Sequence, residues 1–350
     1  MASKVFLSVC ALPVLIVALM FCSNNCAWLS VQFMHTAGIS AAFPDVVGGL
    51  ERQVWSNWES ESLSKTYNHD TMILPIPVIS SPDQFKDIDF SRPFLVRNLS
   101  TGVVLQEQDF LSSPLKDIEI EYYSDSTKLN AWSPDAYGKV GDVVKSITSG
   151  GKMKFLTQKI VEGYPQLVVD FIDRNPWVVP VFGEKRVEGW KKRDTFVRTP
   201  IFMAKGRTTE GLQGSVRTDC HAEPASNLAL QTIGRKKWTL VEARHSHLLR
   251  PRISMSNTPY CISQIDMLDE KSFWHVPRYE IETVAGDALY LPAWTWHRVQ
   301  YIPEIVSSHM SFFEPIRNEF LFNKPLLTVA ALPLLAKRTF KLIFGLKLDL

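Results

Sequence analysis

The chain has 350 residues, of which 45% are hydrophobic and 21% are charged, and its formal net charge at pH 7 is +2. This composition is ordinary for a globular protein with one large domain and short appendages. A nearly neutral chain gives no sign of the basic surface that nucleic-acid-binding proteins need, so we expect no nucleic-acid partner.

The first element is an uncharged apolar run, Val5–Cys22, that follows Lys4. Its length is sufficient for a membrane span, and its short basic start is also compatible with a secretory signal peptide. Because no Lys or Arg occurs between Lys4 and Arg52, the positive-inside rule places the following chain across the membrane. We interpret residues 1–27 as a signal anchor, with a cleaved signal peptide or a buried core helix as alternatives. This interpretation implies a membrane of the endoplasmic reticulum or Golgi, with the remaining chain in the lumen.

The middle of the chain shows mixed patterns. Residues 28–90 have little hydrophobic periodicity and predict a stem and an entry segment. Asp117–Tyr123 alternates acidic and apolar residues and predicts a half-exposed strand near a sheet edge. Residues 136–150 are expected to form a loop region, and Met153–Phe171 is long enough for one or two helices. The basic cluster at 185–193 is interpreted as a solvated loop or, alternatively, as a contact for an acidic substrate or lipid headgroups.

The most informative stretch lies between residues 218 and 299. It contains His221 and Glu223 two positions apart, and His297 in a later extended segment. In an extended segment residues two apart point to the same side, so His221 and Glu223 can face one cavity. Two histidines and one carboxylate leave three positions of a metal open, which is typical of non-heme Fe(II) oxygenases and not of structural zinc sites. We expect these three residues to bind iron and to be the catalytic residues.

Two extended segments, Asn227–Thr232 and Lys236–Val241, flank Gly234. Both alternate, and a glycine permits a turn with positive φ, so the pattern predicts a hairpin. Lys236 and Trp238 would then share a face of the second strand. An ammonium on an inward face is costly unless it meets an anion. Lys236 is therefore a candidate for binding an anionic ligand.

Turn signals also precede the later histidine. Gly286 and Asp287 predict a turn before a buried strand, Ala288–Leu291. A second turn at Pro292–Thr295 leads into the strand Trp296–Gln300, which carries the later histidine. Such a succession of short strands predicts a mainly β domain in which distant segments meet in an antiparallel barrel.

Past the predicted barrel, residues 316–350 form a basic and apolar tail in which Leu326–Ala336 is too short to span a membrane. We expect this tail to be helical and either to lie on a membrane surface or to form the contact of a homodimer. His245 and His247 form an HxH pair that is a weaker metal candidate. The lone histidines are interpreted as structural, and His309 is placed where it can border the cavity.

The stretch resembles the JmjC and cupin-like 2-oxoglutarate oxygenases in several spacings at once. The pattern of that family is HxD/E, then Asn, Gln, Gly and Lys, and finally GDxLxxPxxWxH. The resemblance extends over about residues 90–315, and the segment from Arg92 to Arg97 is similar to the first strand of the family. The matching residues are His221, Glu223, Asn227, Gln231, Gly234, Lys236, Trp238, Gly286, Asp287, Tyr290, Pro292, Trp296 and His297.

The resemblance implies a double-stranded β-helix, or jelly roll, over residues 91–315 with flanking helices. The chain is most similar to the branch that contains the asparaginyl hydroxylase of the hypoxia-inducible factor. That likeness implies that Thr218 and Lys236 hold the distal carboxylate of 2-oxoglutarate and that Asn227 helps at the proximal carboxylate. Glu223 departs from this branch, in which Asp is usual.

The activity that the resemblance implies is that of an Fe(II)- and 2-oxoglutarate-dependent dioxygenase. Such an enzyme uses Fe(II), 2-oxoglutarate and O2, hydroxylates a protein or a small molecule, and releases succinate and CO2. Two alternatives remain open. One is a membrane-tethered cupin-like binding protein without catalysis, and the other is a metal-dependent cupin enzyme that does not use 2-oxoglutarate.

Overall fold

The computed structural model describes most of the predicted barrel. The described residues are 23–36, 39–63, 72–99, 105–127, 134–192, 198–207, 216–254, 260–265, 273, 275–314, 327 and 329–330. The apolar run Val5–Cys22, with the signal-anchor prediction, lies outside them, as does most of the tail 316–350. Among the helices in this part of the chain, none has both the length and the hydropathy needed to cross a membrane.

The secondary structure elements are numbered along the chain. The α-helices are α1 (Asn24–Thr36), α2 (Ile39–Ala42), α3 (Pro44–Leu63), α4 (Glu107–Phe110), α5 (Val140–Thr148), α6 (Lys159–Gly163), α7 (Gln166–Arg174), α8 (Val178–Phe182) and α9 (Glu184–Lys192). The 3-10 helices are Pro82–Lys86, Leu115–Asp117 and Ala243–Leu249. The strands are β1 (Val78–Ile79), β2 (Phe94–Val96), β3 (Glu119–Tyr122), β4 (Ala136–Lys139), β5 (Lys154–Thr157), β6 (Ile201–Lys205), β7 (His221–Ala222), β8 (Ser226–Ile233), β9 (Arg235–Val241), β10 (Pro251–Ile253), β11 (Cys261–Ser263), β12 (Tyr279–Val284), β13 (Ala288–Leu291), β14 (Trp296–Tyr301) and β15 (Val306–Glu314).

The described residues fall into two compact units, and the first contains those within 1–72, 244–276 and 324–350. In this unit β10 and β11 pair as an antiparallel hairpin. Trp28 of α1 donates a hydrogen bond from Nε1 to the carbonyl of Pro251 at 2.8 Å. Buried apolar side chains of α1 and α3 pack together, so part of the segment expected to be a stem is helical.

The second unit contains the described residues within 73–243 and 277–323, and it is built on two main sheets. The larger sheet has the strand order β1-β2-β13-β8-β15-β6-β5, in which β1 runs parallel to β2 and the other neighbours are antiparallel. The second sheet contributes β7-β14-β9-β12 to this unit, all antiparallel. This sheet-rich architecture with helices confirms the coarse fold class that the sequence predicts. Side chains of both sheets share one core, formed by Leu95, Ala204, Val216, Ala229, Trp238, Leu240, Tyr279, Ile281, Leu289, Leu291, Val299 and Tyr301.

The helices of this unit cover the other face of the larger sheet. Leu228 and Leu230 of β8 belong to a second core that includes the apolar faces of α5 and α7. Phe171 of α7 stacks on Phe312 of β15, with ring centroids 4.4 Å apart. Because both of their faces are covered, β8 and β13 are buried almost throughout, whereas β12 alternates buried and exposed residues because one of its faces meets solvent.

The predicted hairpin at Gly234 is wrong in its pairing. β8 is bonded to β13 and β15 in the larger sheet, whereas β9 is bonded to β14 and β12 in the second sheet. Gly234, with φ of 62°, carries the chain from one sheet to the other, and a Cβ there would meet the Val306 carbonyl oxygen at 2.1 Å. Alternation predicts two extended segments, but it does not identify their partners. The crossing places the inward faces of β8 and β9 on opposite walls of the shared core.

Other expectations also differ from the structure. Residues 136–150 form β4 and α5 because an apolar face of α5 is buried in the helical core. Met153–Phe171 contains β5 before its two helices. The described part of the basic cluster lies on α9, where Lys191 forms an ion pair with Asp173 at 2.7 Å. The strand predicted in Asp117–Tyr123 is confirmed as β3.

An ion pair fixes the turn that precedes β13. Asp287 is 2% exposed and accepts hydrogen bonds from Arg97 Nε at 3.1 Å and from a terminal nitrogen of Arg97 at 2.8 Å. The same carboxylate accepts the backbone N–H of Val284 at 3.0 Å, and Gly286 has φ of 95°. The predicted turn is confirmed, and Arg97 ties the end of β2 to the start of β13.

Candidate metal centre

Three side chains that can bind a metal meet where β7 lies beside β14. His297 is the partner of His221 across the two strands, and their ring centroids are 4.3 Å apart. Glu223 follows β7, and its carbonyl accepts a hydrogen bond from the backbone N–H of Trp294 at 2.7 Å. One ligand atom from each of the three side chains lies within 4.8 Å of the other two. This spacing is compatible with a single metal ion between them.

Backbone carbonyls orient both imidazole rings. His221 Nδ1 lies 2.8 Å from the Asp219 carbonyl oxygen, and His297 Nδ1 lies 3.1 Å from that of Thr295. A carbonyl can only accept, so each Nδ1 carries the proton and each Nε2 keeps its lone pair. Burial, and then the charge of His221, lowers the pKa of His297 to about 3, although the hydrogen bond to Thr295 raises it. The His297 ring is therefore neutral at physiological pH, as a metal ligand must be.

The donor set fits an open metal centre. Two neutral imidazoles and one carboxylate are the ligands of the mononuclear Fe(II) sites that keep positions open for substrates. Within the part of the chain that the structure describes, no other His, Cys, Asp or Glu joins this cluster. His245 and His247 lie on the 3-10 helix Ala243–Leu249. They are therefore not on a strand, where two residues of an HxH pair would point to the same side.

A mainly apolar cavity adjoins these ligands. Its volume is about 40 Å³. Thr218 and Asn227, which are predicted to bind the cosubstrate, line it together with the three candidate ligands. The other lining residues are Leu156, Phe202, Trp238, Val299, Tyr301, His309, Ser311 and Phe313.

Two buried oxygens in this cavity have no hydrogen-bond partner among the described residues. They are Asn227 Oδ1 on β8 and Ser311 Oγ on β15. Thr218 Oγ1 accepts the backbone N–H of Val299 at 3.0 Å, and its own hydroxyl proton is left to donate elsewhere. A buried polar atom without a partner costs about 1–3 kcal/mol, so such atoms indicate where polar groups of a ligand belong.

Lys236, the third predicted cosubstrate residue, is fully buried on β9. Its Nζ donates a hydrogen bond to the Tyr301 hydroxyl at 3.2 Å and makes a short hydrogen bond to His309 Nδ1. Nζ also lies 4.4 Å from the centroid of the Tyr301 ring. Among the described residues no carboxylate contacts this ammonium, and burial lowers the pKa of Lys236 well below its ordinary value. Lys236 itself does not line the cavity, whereas Tyr301 and His309 do.

Sequence reasoning did not assign Tyr301 and Ser311 to the site. Tyr301 lies four positions after His297 on β14, and strand alternation from that ligand would have placed it on the same face. Ser311, His309 and Phe313 share a face of β15 in the same way. The sequence shows the alternation of these residues, but it does not show where β14 and β15 begin and end.

Tyr290, which matches a position of the family pattern, does not line the cavity. Its ring stacks on Phe94 at 4.6 Å and belongs to the core beneath the helices. Leu289 and Leu291 of the same strand face the core between the sheets, so alternation turns Tyr290 to the other side.

The fold and the site define a sheet-rich domain with an open candidate metal centre between two sheets. A family model described as a cupin-like domain matches residues 115–319, which is more than half of the chain. The protein therefore belongs to the cupin-like domain family, and the predicted membership of the cupin and JmjC superfamily is confirmed. No curated protein matches the sequence. The finer likeness to the asparaginyl hydroxylase branch stays a prediction.

Proposed function

We propose that this protein is an Fe(II)- and 2-oxoglutarate-dependent oxygenase that hydroxylates a protein or a small molecule and forms succinate and CO2. Two groups beside one cavity support the proposal. The side chains of His221, Glu223 and His297 form a set of donors for a cation, and Lys236 is a buried amino group that no carboxylate of the described residues contacts. A 2-oxo dicarboxylic acid has a chelating end for a metal and a distal carboxylate for an ammonium, so one molecule complements both.

The resident metal would be held by His221, Glu223 and His297. When bound, Fe(II) would supply the oxygen chemistry, and this donor set is typical of the sites that bind it in mononuclear oxygenases. The protein contributes the fixed orientation of the ligands. The hydrogen bonds from the two Nδ1 atoms to backbone carbonyls fix the ring orientations and leave the lone pair of each imidazole on Nε2.

The remaining residues of the cavity would bind and orient the cosubstrate. Lys236 and Thr218 are assigned to its distal carboxylate, as the resemblance to the asparaginyl hydroxylase branch implies. Asn227 and Ser311 have unsatisfied buried oxygens and are placed to complete the hydrogen bonds of its other polar groups. Because the cosubstrate is already held in a fixed orientation, less entropy is lost when it reacts with O2.

Apolar side chains would keep water from the reacting end. The cavity wall includes Leu156, Phe202, Trp238 and Phe313. Trp238 is held by a hydrogen bond from its Nε1 to Thr283 Oγ1 at 2.9 Å. A dry wall limits side reactions and strengthens the electrostatic contacts inside it.

Succinate formation tests the proposal. The full-length chain is loaded with Fe(II) without oxygen, given 2-oxoglutarate and then O2, and succinate is measured for the wild type, His297→Ala and His247→Ala. His247 provides the same substitution at a histidine outside the donor cluster. We expect slow turnover without a second substrate, abolished in His297→Ala and retained in His247→Ala.

Binding completes the test, since some oxygenases do not turn over until their substrate is present. The affinity of the metal-loaded protein for 2-oxoglutarate is measured without oxygen. A protein that shows neither turnover nor binding would exclude the oxygenase and leave the binding-protein and non-2-oxoglutarate alternatives. A metal-dependent activity that survives Lys236→Ala would favour the second of these.

A further inference from the structure

The inner end of the proposed cosubstrate cavity is formed by Tyr301 and His309. Both residues line the cavity and both are hydrogen-bonded to Lys236 Nζ. Lys236 is 0% exposed and forms no part of the cavity wall. A carboxylate that enters from the metal end therefore reaches Tyr301 and His309 before it reaches the ammonium.

The His309 ring has a defined position. Pairing between β15 and β8 shifts register between Ser308 and His309, and such irregularities commonly re-aim a side chain. The ring stacks on Phe202, with centroids 4.3 Å apart and an angle of 9° between the planes. It also packs edge-on against Trp238 at 5.4 Å. His309 is thus held between two aromatic side chains, with its ring plane fixed.

The hydrogen bond to Lys236 determines the proton position on His309. In its charged form, which an incoming carboxylate favours, Lys236 has only donors, so Lys236 donates and Nδ1 accepts. Burial, and then the neighbouring charges of Lys236 and His297, lowers the pKa of His309, so the ring is neutral. A neutral ring that accepts at Nδ1 carries its proton on Nε2. This N–H is a donor on the edge of the ring opposite Lys236.

We propose that His309 is a specificity-determining residue of the cosubstrate site. Its Nε2–H and the Tyr301 hydroxyl receive the distal carboxylate of a dicarboxylic 2-oxo acid, and Lys236 supplies the positive charge behind them. The proposal rests on the function proposed above and deepens it. It predicts selection for oxo acids with a distal carboxylate over monocarboxylic oxo acids of the same length.

Two amide substitutions at His309 test the roles of the two ring nitrogens separately. His309→Asn places an amide near the position of Nδ1 and leaves nothing at Nε2, whereas His309→Gln places an amide near Nε2 and leaves nothing at Nδ1. Dissociation constants are measured on the full chain loaded with Mn(II) and kept free of oxygen. The ligands are 2-oxoglutarate and 2-oxopentanoate, which has the same chain length without the distal carboxylate.

We expect His309→Asn to weaken 2-oxoglutarate binding by about tenfold or more, the usual effect of a lost hydrogen bond to a charged group. His309→Gln should stay within about threefold of the wild type, because an amide N–H replaces the imidazole donor. Unchanged affinity for 2-oxopentanoate in both variants shows that the fold and metal centre are intact. If either variant fails to fold, the other is compared with Tyr301→Phe, for which we expect a similar loss confined to 2-oxoglutarate.

Other patterns overturn the assignment. Loss in His309→Gln alone would mean that His309 only positions Lys236, and equal loss in both variants or in neither would exclude a directed donor. Failure of the underlying function gives a different result, because the wild type itself would then bind neither oxo acid. If the wild type binds 2-oxoglutarate more tightly than 2-oxopentanoate and both variants keep this preference, the proposed role of His309 is wrong. The proposed oxygenase function is not affected by that result.

Discussion

The two ends of the cavity present their charges in different ways. At the metal end, His221 and His297 are each oriented by a backbone carbonyl at Nδ1, so the lone pair of each ring lies on Nε2. At the inner end, Lys236 is already covered by hydrogen bonds to Tyr301 and His309. The metal end is a preformed donor set, whereas the inner end shields its cation with neutral groups. A ligand therefore adds contacts at the first end and joins an existing network at the second.

Removing a ligand at the metal end should have the largest effect. For His221→Ala we expect succinate formation to fall more than about 100-fold, because even partners of metal ligands are worth 10–100-fold. Without metal, the thermal unfolding temperature should remain close to that of the wild type. Fe(II) affinity, measured by titration under anaerobic conditions, should fall with activity. Retained Fe(II) affinity would show that the metal is bound elsewhere.

Removing the cation at the inner end should separate binding from stability. For Lys236→Met we expect 2-oxoglutarate affinity to fall about 30- to 100-fold, because the positive charge behind Tyr301 and His309 no longer attracts the distal carboxylate. The free energy of unfolding of the unliganded protein should rise by about 1–3 kcal/mol, because an apolar chain replaces a buried charge without a carboxylate. Calorimetric titration and urea unfolding measure the two effects.

Lys237→Met is the matched control, because Lys237 is the exposed neighbour of Lys236 on β9. It should change neither the affinity nor the stability. A Lys236→Met protein that is destabilised while it keeps its affinity would indicate a structural ammonium and contradict the comparison of the two ends.

Ligand-induced stabilisation should require both ends together. At a 2-oxoglutarate concentration about 100 times the dissociation constant, the free energy of unfolding of the metal-loaded wild type should rise by about 2.7 kcal/mol. The same concentration should have little effect without metal or on metal-loaded Lys236→Met. Unfolding curves with and without ligand provide the measurement. Equal stabilisation of metal-free protein would show that the metal end does not contribute to binding.

A second buried lysine sharpens the comparison with Lys236. Burial lowers the pKa of Lys154 to about 8, although the charges of Asp125 and Asp219 raise it. Between pH 8 and 10.5 the unfolded chain binds the proton more tightly, so the stability contributed by this group rises with pH. Over this pH range the free energy of unfolding should rise by on the order of 1–3 kcal/mol because of Lys154. Lys154→Met should reduce this slope in urea unfolding measured across the window, and an unaltered slope would contradict the pKa shift.

The donor triad was predictable because its information is local. His221 and Glu223 are two positions apart on one extended segment, Gly286 marks the turn before β13, and Pro292 marks the turn before β14. The pairing that joins β7 to β14, and the crossing of the chain between sheets at Gly234, depend on partners distant in sequence. Alternation carries no information about such partners.

The surroundings of Lys236 were predictable only in part. The strand pattern placed its ammonium inward, and the cost of an isolated charge suggested an anion. His309 reaches it from β15 beside a register shift, 73 positions away in sequence. A single-residue irregularity of this kind leaves no periodic signal, so sequence reasoning could not tell which side chain covers the ammonium.

One strand carries parts of both ends. His297 and Tyr301 lie on the same face of β14, with Val299 between them in the cavity wall. Four residues of a strand extend about 13 Å. The two side chains and a molecule that bridges them must together span this distance. Because the pleat repeat cannot be adjusted, the strand sets the chain length of a bridging diacid. A diacid one carbon shorter or longer would engage the metal or the inner network well, but not both.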